Sequence, residues 1–436
     1  MTVPRVLVIG GGIAGMVASL GVAEAGFQVY LVERRPWIGG RMAQLDKTFP
    51  TLDCASCIIT PRMVAVGSHP LVHLLTLSEV VKVDGEAGAF RVTVKRRPRY
   101  VDESKCTACG RCADACRLKG RIPNEFDMGL GSRGAIYLAF PQAVPMKYAV
   151  DPERCLQVSR GRCGKDGPRC VEVCPNDAID FGQREEVLEL EVGAIVVATG
   201  YDPFPAQAKP EYGYGRLEGV ITILELERML SASGPTEGEI TVGGREPEGV
   251  VFIHCVGSRD HQVGNPYCSR VCCTVVAKQA LLLKERFPGA RVVVCYMDVR
   301  TFGKGYEAFY ERVQRAGVIY RRGLPAEVFR RDGKLVVRGE DTLLGRPYEE
   351  EADLVVLATG IRPSEGTAEL ASVLGLELDD YGFLQEADPH DPLVSPRPGV
   401  FLAGCCQGPK DIPDTVAQAS GAASRALALI RGGSGG

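Results

Sequence analysis

Two groups of cysteines constrain this chain more than any other feature of its sequence. The first group has the spacing C-x2-C-x2-C-x3-C, and the second, more widely spaced, ends in C-x3-C-P. Thiolates at such spacings ligate [4Fe–4S] clusters, and in two-cluster ferredoxins the fourth cysteine of each motif ligates the other cluster. We therefore predict two such clusters. The ligands of the first are Cys106, Cys109, Cys112 and Cys174, and those of the second are Cys155, Cys163, Cys170 and Cys116.

Two alternatives to this ligand assignment stay open at the level of sequence. Pairs of the form C-x2-C also bind zinc, although three cysteines at successive two-residue intervals favour clusters. In the second motif, seven and six residues separate the first three cysteines. Loops tolerate such insertions, but the spacing is also compatible with an insert that holds a single cluster.

Composition excludes several classes of protein. The chain has 436 residues, a formal net charge of −3 and 45% hydrophobic residues, which is typical of an ordinary globular protein of two or three domains. This charge gives no reason to expect nucleic acid or a membrane as a partner, and no apolar run is long enough for a spanning helix. A predicted strand at 6–9 leaves no room for a signal peptide. We therefore expect a cytoplasmic protein whose 17 cysteines are metal ligands or redox thiols.

A glycine-rich turn precedes the first predicted helix. Gly10, Gly12 and Gly15 form G-x-G-x-x-G directly after the strand at 6–9. Glycine is needed there for the turn itself, for the approach of the backbone to a pyrophosphate, and for helix–strand packing. The helix N-terminus then offers free N–H groups to phosphate. A second strand ends at Glu33, whose carboxylate can accept hydrogen bonds from ribose hydroxyls, so we predict a dinucleotide site.

Further signatures indicate that the dinucleotide is FAD. A glycine pair and an arginine follow the second strand, as in flavin disulfide reductase-like proteins. Three later strands, at 196–200, 355–360 and 400–404, end in glycine, and the last precedes a helix whose N-terminus is expected to face the flavin. That class normally has Asp after the last of these glycines, where this chain has Cys405. The predicted FAD contacts, besides those of the first turn, are Gly39, Gly40, Arg41, Gly200, Gly404 and Thr415.

A second Rossmann-like half is expected after residue 246. Strands at 249–255 and 291–297 flank a helical segment at 269–287. Flavin disulfide reductases bind NAD(P)H in such a half, but the turn at 254–259 has no G-x-G-x-x-G. Because the backbone cannot approach a pyrophosphate closely without the second glycine, we predict that this half keeps the fold and has lost NAD(P)H binding.

The remaining nine cysteines and one lysine supply the other candidate site residues. Cys54 and Cys57 either form a redox pair that exchanges electrons as thiols and disulfide or ligate a third cluster. The cysteines that would complete this cluster are Cys272 and Cys273, with Cys255 and Cys268 as further candidates. Lys410 lies on the loop before the last helix, where its charge could tune the flavin. The candidate catalytic residues are therefore Lys410, Cys54 and Cys57.

Segments along the whole chain resemble the A-type subunit of heterodisulfide reductase. They are 39–50, 267–273, 302–306 and 408–415, with 99–102, 141–145 and 151–153 around the cysteine motifs. The resemblance implies an α/β fold of the thioredoxin reductase type, with two Rossmann-like nucleotide-binding domains and an inserted two-cluster ferredoxin domain. The expected units are an FAD-binding domain in three parts (1–98, 185–245 and 364–436, the last with a flexible glycine-rich tail), the ferredoxin insert (99–184) and the second Rossmann-like half (246–363).

The resemblance also implies a function. It implies an oxidoreductase subunit that collects or splits electron pairs at FAD and passes single electrons through [4Fe–4S] clusters. The implied partners are B- and C-type subunits and an electron-donor subunit, with ferredoxin as a further candidate, and we expect a homodimer within the larger complex. In the methanogen complex, this subunit performs flavin-based electron bifurcation. The chain is expected to be a short form, because longer members carry an extra N-terminal domain and a C-terminal ferredoxin.

Two other functions stay open. One is a free-standing NAD(P)H-dependent flavin and iron–sulfur oxidoreductase of the glutamate synthase small-subunit type. The other is an assembly subunit whose cofactors only relay electrons. Rapid reduction of the flavin by NAD(P)H would favour the first, and ordinary two-electron flavin steps would favour the second.

Overall fold

Two parallel five-stranded sheets organise the chain. The computed structural model describes residues 2–165 and 167–432. The first sheet contains, in spatial order, Val400–Leu402, Ala194–Val197, Arg5–Ile9, Gln28–Glu33 and Val72–Thr76. The second contains Val220–Thr222, Leu354–Thr359, Gly249–Val256, Arg291–Tyr296 and Ile319–Arg322. Their central strands are nearly continuous runs of buried Val, Ile and Leu, as expected for parallel sheets that are covered on both faces.

Helices and small antiparallel sheets cover these two sheets. The helices around the first sheet are Ile13–Glu24, Ala55–Ser68, Thr367–Leu374 and Ile412–Gly432, and those around the second are Ile223–Leu230, Cys272–Arg286 and Tyr306–Arg315. The antiparallel strands are Ser78–Glu86, Ala89–Arg96 and Glu186–Val192 in one sheet, Pro325–Arg331, Lys334–Asp341 and Arg346–Ala352 in another, and Tyr201–Pro203 with Ile361–Pro363 between the two units. Among the described residues, no helix has both the length and the apolar character that crossing a bilayer requires.

The first helix, Ile13–Glu24, is apolar on nearly every side and is buried by its neighbours. It packs against the last helix, Ile412–Gly432, through small residues. A Cβ on Gly21 would lie 3.5 Å from the Cβ of Ala423, and Ala419 is likewise fully buried. Because small side chains allow two helix backbones to approach closely, these two helices together form one wall of the first unit.

The cysteine-rich insert leaves and rejoins one antiparallel sheet at adjacent positions. Arg96 and Glu186 are register partners across the strands on either side of the insert, so the ends of the insert lie next to each other. Its own elements are short: the strand pairs Ile122–Pro123 with Ser132–Arg133 and Ile136–Tyr137 with Ala149–Val150, and the helices Arg111–Asp114, Leu156–Arg160 and Arg169–Glu172. The insert therefore stands where a short hairpin loop would join these two strands, and it does not disturb their pairing.

One strand lies on the other side of a predicted domain boundary. Val220–Thr222, which we predicted to belong to the FAD-binding domain, pairs in parallel with Leu354–Thr359 in the second sheet. The strand has only three residues, which are too few to show a hydrophobic pattern. The sequence therefore does not indicate that this segment belongs to the second sheet. The predicted glycine-rich tail begins at Gly432, which is the last residue of the helix Ile412–Gly432, and its other residues, 433–436, lie outside the described residues.

A buried arginine fastens the insert to both Rossmann-like units. Arg228, on the helix Ile223–Leu230, is 2% exposed and forms an ion pair with Asp127 of the insert at 3.0 Å. Its guanidinium also lies over the ring of Phe126, 4.9 Å from the centroid, and donates to the Gln44 carbonyl oxygen at 3.5 Å.

The neighbouring glutamate makes a second buried connection. Glu227 Oε1 lies 2.6 Å from Lys278 Nζ, and both side chains are 1% exposed. Lys278 Nζ donates to the Lys47 carbonyl oxygen at 2.7 Å, and the Asp46 N–H donates to Glu227 Oε2 at 3.0 Å. The loop at 46–47 of the first unit is therefore held by charged groups of the second.

Candidate functional site

A cavity of about 390 Å³ opens at the carboxyl end of the first sheet. Its walls are the glycine-rich turn, the glycine pair, the segment at 198–202, the loop before the last helix, and aromatic residues of the insert. Ligands of open α/β sheets bind at this end of the strands, so the location fits a dinucleotide.

The glycines of the first turn are needed for close backbone contacts. Gly10 has a φ of +109°, and a Cβ there would lie 2.4 Å from the Ala198 carbonyl oxygen. A Cβ on Gly15 would lie 1.8 Å from the Gly10 carbonyl oxygen. Neither position can accept a side chain without moving the central strands.

The predicted glycine pair packs directly on this turn. The Gly39 N–H donates to the Gly11 carbonyl oxygen at 2.8 Å. Gly40 has a φ of +56°, and a Cβ there would lie 2.9 Å from the Gly12 Cα. If Gly12 carried a Cβ, the only atom of the described residues within 4 Å of it, apart from its chain neighbours, would be the Gly40 Cα. The start of the first helix therefore faces open space, which suits a pyrophosphate bound by helix N–H groups.

Glu33 lines the cavity with its carboxylate held in place by backbone donors. Its Oε2 accepts the Gly11 N–H at 2.7 Å, and its Oε1 accepts the Arg35 N–H at 2.8 Å. Each oxygen keeps a further lone pair, so the carboxylate remains able to accept from ribose hydroxyls.

Arg41 holds two segments of the cavity wall together. It forms an ion pair with Asp202, and its Nη1 donates to Gln44 Oε1 at 3.1 Å. Asp202 in turn accepts the Glu365 N–H at 2.7 Å. Burial alone would raise the pKa of Asp202, but this N–H and Arg41 lower it. These protein groups hold Arg41 in place where it lines the cavity, and its contact with FAD stays a prediction.

The last helix begins at the cavity, as predicted. The Gly404 N–H donates to Gln418 Oε1 at 2.8 Å, and a Cβ on Gly404 would lie 3.0 Å from the Thr415 Cγ2. Thr415 and Cys405 both line the cavity, so the thiol occupies the place at which an aspartate was expected. Gly200 lines the same cavity and has open space where its Cβ would be.

Lys410 reaches the cavity from the loop before this helix. Its Nζ donates to Gln407 Oε1 at 3.1 Å. Burial lowers the pKa of Lys410, and the thiols of Cys406 and Cys405 oppose this effect. The neighbouring Asp411 accepts the Tyr306 hydroxyl at 3.3 Å. A desolvated lysine thus lines the end of the cavity at which the flavin is expected.

Aromatic residues of the insert form a wall that the sequence did not predict. Phe126 and Phe140 stack with ring centroids 4.3 Å apart, and Tyr137 meets Trp37 edge to face at 5.1 Å. All four line the cavity. The Trp37 indole N–H donates to the Lys147 carbonyl oxygen at 3.0 Å. Trp37 is about a hundred positions from the other rings along the chain, and no local pattern marked them.

The insert brings the two predicted ligand sets together. One small cavity is lined by Cys106, Cys109, Cys112 and Cys174, and another by Cys116, Cys155, Cys163 and Cys170. In both, the fourth cysteine of one motif sits with three of the other. Burial raises the pKa of Cys112 and that of Cys170 to about 12, and neighbouring thiols contribute. These thiols would therefore release protons on binding metal.

A single metal ion fits these sulfurs less well than a cluster does. Across the described part of the chain, no three His, Cys, Asp or Glu side chains converge as ligands of one ion would. Thiolates of a [4Fe–4S] cube sit at its separate corners and lie farther apart than the ligands of one zinc ion. The donor set and its spacing therefore fit clusters.

The cysteines outside the insert separate into two groups. Cys54 and Cys57 form a disulfide at the start of the helix Ala55–Ser68, and in that state neither sulfur can ligate iron. The other group gathers near the start of the helix Cys272–Arg286 and consists of Cys255, Cys268, Cys272 and Cys273. Burial raises the pKa of Cys272 well above its usual range, and the other three thiols raise it further.

The turn of the second unit is filled by an aromatic ring. A Cβ on Gly257 would lie 2.1 Å from the ring of Phe204, which is 6% exposed. The ring of Phe204 therefore packs directly against this turn, and Gly257 has no room for a side chain. The loss of NAD(P)H binding stays a prediction that rests on the missing G-x-G-x-x-G at 254–259.

Comparison with known families agrees with the two cofactor predictions. Residues 5–52 match the model of FAD-dependent oxidoreductases, and residues 99–117 match that of 4Fe-4S binding domains. The structure resembles thioredoxin reductases of Lactococcus lactis (TM-score 0.52, 16% identity, 99% of this chain and 100% of that one) and T. acidophilum (0.51, 14%, 99% and 99%). This likeness confirms the predicted fold class.

Sequence relatives identify the family. The A-type subunit of the H(2):CoB-CoM heterodisulfide,ferredoxin reductase of Methanothermobacter marburgensis is 50% identical over 434 residues, which are 98% of this chain and 64% of the relative. The A-type iron-sulfur subunit of the CoB--CoM heterodisulfide reductase of Methanocaldococcus jannaschii is 52% identical over 424 residues, 96% of this chain and 63% of the relative. The chain belongs to the family of A-type heterodisulfide reductase subunits. It spans less than two thirds of the length of these two relatives, and its cofactors are FAD and [4Fe–4S] clusters.

We predict that Gly40→Ala lowers the affinity for FAD by about tenfold or more, which is about 1.4 kcal/mol, because its Cβ would meet the Gly12 backbone. Titration of the apoprotein with FAD measures this. Gly345→Ala is the matched control, since Gly345 has a similar φ of +60° and nothing within 4 Å of its Cβ position. Equal losses in both variants would mean that backbone strain, rather than the contact, is responsible.

We predict that Lys410→Met lowers the reduction potential of the bound FAD, because a cation near the flavin stabilises its reduced anion. Lys410→Arg should retain most of the potential. Since burial lowers the pKa of Lys410, its charge is lost at a lower pH than that of an exposed lysine, so the difference between wild type and Lys410→Met should shrink as the pH rises. Spectroelectrochemical titration tests this, with the exposed Lys304→Met as control. A similar shift in the control would contradict the role of Lys410.

Proposed function

We propose that the protein is the flavin and iron–sulfur electron-transfer subunit of a heterodisulfide reductase-type complex. In this role it collects or splits electron pairs at FAD and passes single electrons through [4Fe–4S] clusters. The observation that carries the proposal is the combination, in one chain, of a dinucleotide cavity with two separate cavities that are each lined by four cysteines.

Physical contact between the cofactor sites supports this role. The insert contributes a wall of the FAD cavity through Phe126 and Tyr137. Trp37 of that cavity is hydrogen-bonded to Lys147, whose Nζ donates to the Cys106 carbonyl oxygen at 2.5 Å. Lys147 thus links the loop of the first cluster to the FAD cavity through two hydrogen bonds.

We also infer a third cluster, in the second unit. The four cysteines gathered there, Cys255, Cys268, Cys272 and Cys273, are buried or half-buried. The Arg270 N–H already donates to Cys268 Sγ at 3.3 Å, and such donors stabilise thiolate ligands. In this interpretation Cys54 and Cys57 are a thiol–disulfide pair, and only two of the four cysteines that we first predicted as ligands take part.

The relatives' names support a wider assembly. Those relatives are named as subunits of heterodisulfide reductases, and in one case ferredoxin is part of the name. We propose that B- and C-type subunits and an electron-donor subunit bind this chain, and that the chain forms a dimer within the complex. The complex acts in the cytoplasm. If the flavin bifurcates electrons, ferredoxin is a candidate acceptor. The NAD(P)H-dependent alternative is disfavoured by the turn at 254–259, which has no G-x-G-x-x-G.

The exchange of fourth ligands can be tested with one cysteine. We predict that Cys116→Ala, although it lies in the first motif, removes the second cluster, about four iron atoms, and leaves the EPR signal of the first. Cys109→Ala should do the reverse, and both should retain FAD. Cys295→Ala, which replaces a buried cysteine that is hydrogen-bonded to Tyr348, is the control and should keep all its iron. Loss of the first cluster in Cys116→Ala would refute the exchange.

The third cluster can be tested by counting iron. Protein purified without oxygen should contain about twelve iron atoms per FAD, and Cys272→Ala should contain about eight. The double variant Cys54→Ser/Cys57→Ser should retain the full amount, because these residues pair with each other. If the double variant also loses about four iron atoms, Cys54 and Cys57 are ligands after all.

A further inference from the structure

Four arginines lie at the cysteine cavity of the second cluster or on a loop beside it. Arg117 and Arg169 line that cavity together with its cysteines. Arg160 and Arg162 lie on the loop that joins the first two cysteines of the widened second motif. All four arginines are exposed. We call this set, Arg117, Arg160, Arg162 and Arg169, the arginine rim.

The charges of the arginine rim are not neutralised within the described residues. None of its four guanidinium groups forms an ion pair with residues 2–165 or 167–432, whereas the nearby Lys119 pairs with Asp114 at 2.8 Å. Gly164 leaves space for the guanidinium of Arg117, because a Cβ on Gly164 would lie 2.3 Å from the Arg117 Cζ. The loop is therefore shaped so that a guanidinium can lie across it.

The local charge is opposite to that of the whole chain. Between 154 and 169 the sequence has five basic residues, Arg154, Arg160, Arg162, Lys165 and Arg169, and one acidic residue, Asp166. The complete chain has a net charge of −3. Like charges that are held close together repel one another, and this repulsion is relieved when a surface of opposite charge is bound.

The surface beside the first cluster is different. Next to Cys174 it presents Arg111 together with Asp114 and Glu172, so that basic and acidic groups are mixed. Of the two cluster cavities in the insert, only the second has charged residues among its described lining, and both of them, Arg117 and Arg169, are basic.

We propose that the arginine rim is the docking surface for an acidic protein that carries a one-electron centre, and that the second cluster exchanges electrons with it. This inference rests on the proposed function. One electron leaves the reduced second cluster, which passes from the 1+ to the 2+ state, and the centre of the partner gains that electron. No covalent bond is broken and no proton moves. Complementary charge steers such encounters and accelerates association by about 10- to 1000-fold at low salt.

The experiment compares two charge-reversal variants of the holoprotein. Arg160→Glu/Arg162→Glu changes the rim, and Arg245→Glu/Arg346→Glu makes the same change of charge at exposed arginines of the second unit. Both are reduced with dithionite and mixed in a stopped-flow instrument with an acidic plant-type [2Fe–2S] ferredoxin, over a range of salt concentrations. EPR of the reduced proteins first establishes that both insert clusters are present.

We expect the rim variant to transfer electrons at least about tenfold more slowly than wild type at low salt and to lose most of the salt dependence, while the control stays within about twofold. Equal slowing in both variants would mean that only net charge matters, and unchanged rates in the rim variant would mean that the partner docks elsewhere. Either result overturns the inference while leaving the proposed function intact. If EPR finds no reducible clusters in the wild-type insert, the proposed function itself fails.

Discussion

The buried charges of one short helix fix the positions of the first unit, the second unit and the cysteine-rich insert relative to one another. Glu227 and Arg228 are neighbours on Ile223–Leu230 and serve different contacts. Glu227 pairs with Lys278 of its own unit and accepts the Asp46 N–H of the first unit, whereas Arg228 pairs with Asp127 of the insert. Removing one partner of a buried ion pair typically costs about 3–5 kcal/mol, because the other charge is left without compensation. The relative placement of the cofactor sites, and therefore any transfer of electrons between them, depends on these contacts being satisfied together.

The dinucleotide cavity depends on a different constraint, the absence of side chains. The glycine-rich turn and the glycine pair approach each other so closely that Gly12 and Gly40 touch through their backbones. This contact brings a 3-10 turn, Gly40–Gln44, against the start of the first helix. The walls on either side can then be supplied by distant parts of the chain, including the aromatic residues of the insert.

Much of the site could be predicted, but for reasons that differ between residues. Gly10, Gly15 and Glu33 belong to a pattern whose geometry is local, so their positions follow from spacing. The exchange of Cys116 and Cys174 between the two cysteine cavities follows from the symmetry of a two-cluster ferredoxin. Neither the strand Val220–Thr222 nor the role of Phe204 above Gly257 could be foreseen, since both depend on partners that are more than fifty residues away.

The sequence by itself determined which chemical groups this protein holds. Cysteine spacing and glycine-rich turns are rules about neighbouring residues, and they indicated iron–sulfur clusters and FAD without any knowledge of tertiary contacts. The tertiary structure alone decided which groups meet. It gathered Cys255 and Cys268 with the pair at 272–273. It also placed Arg117 and Arg169 at the cavity of the second cysteine motif, where no described acidic residue forms an ion pair with them. The reason is that burial and charge compensation are properties of packing, which joins segments that no local pattern connects.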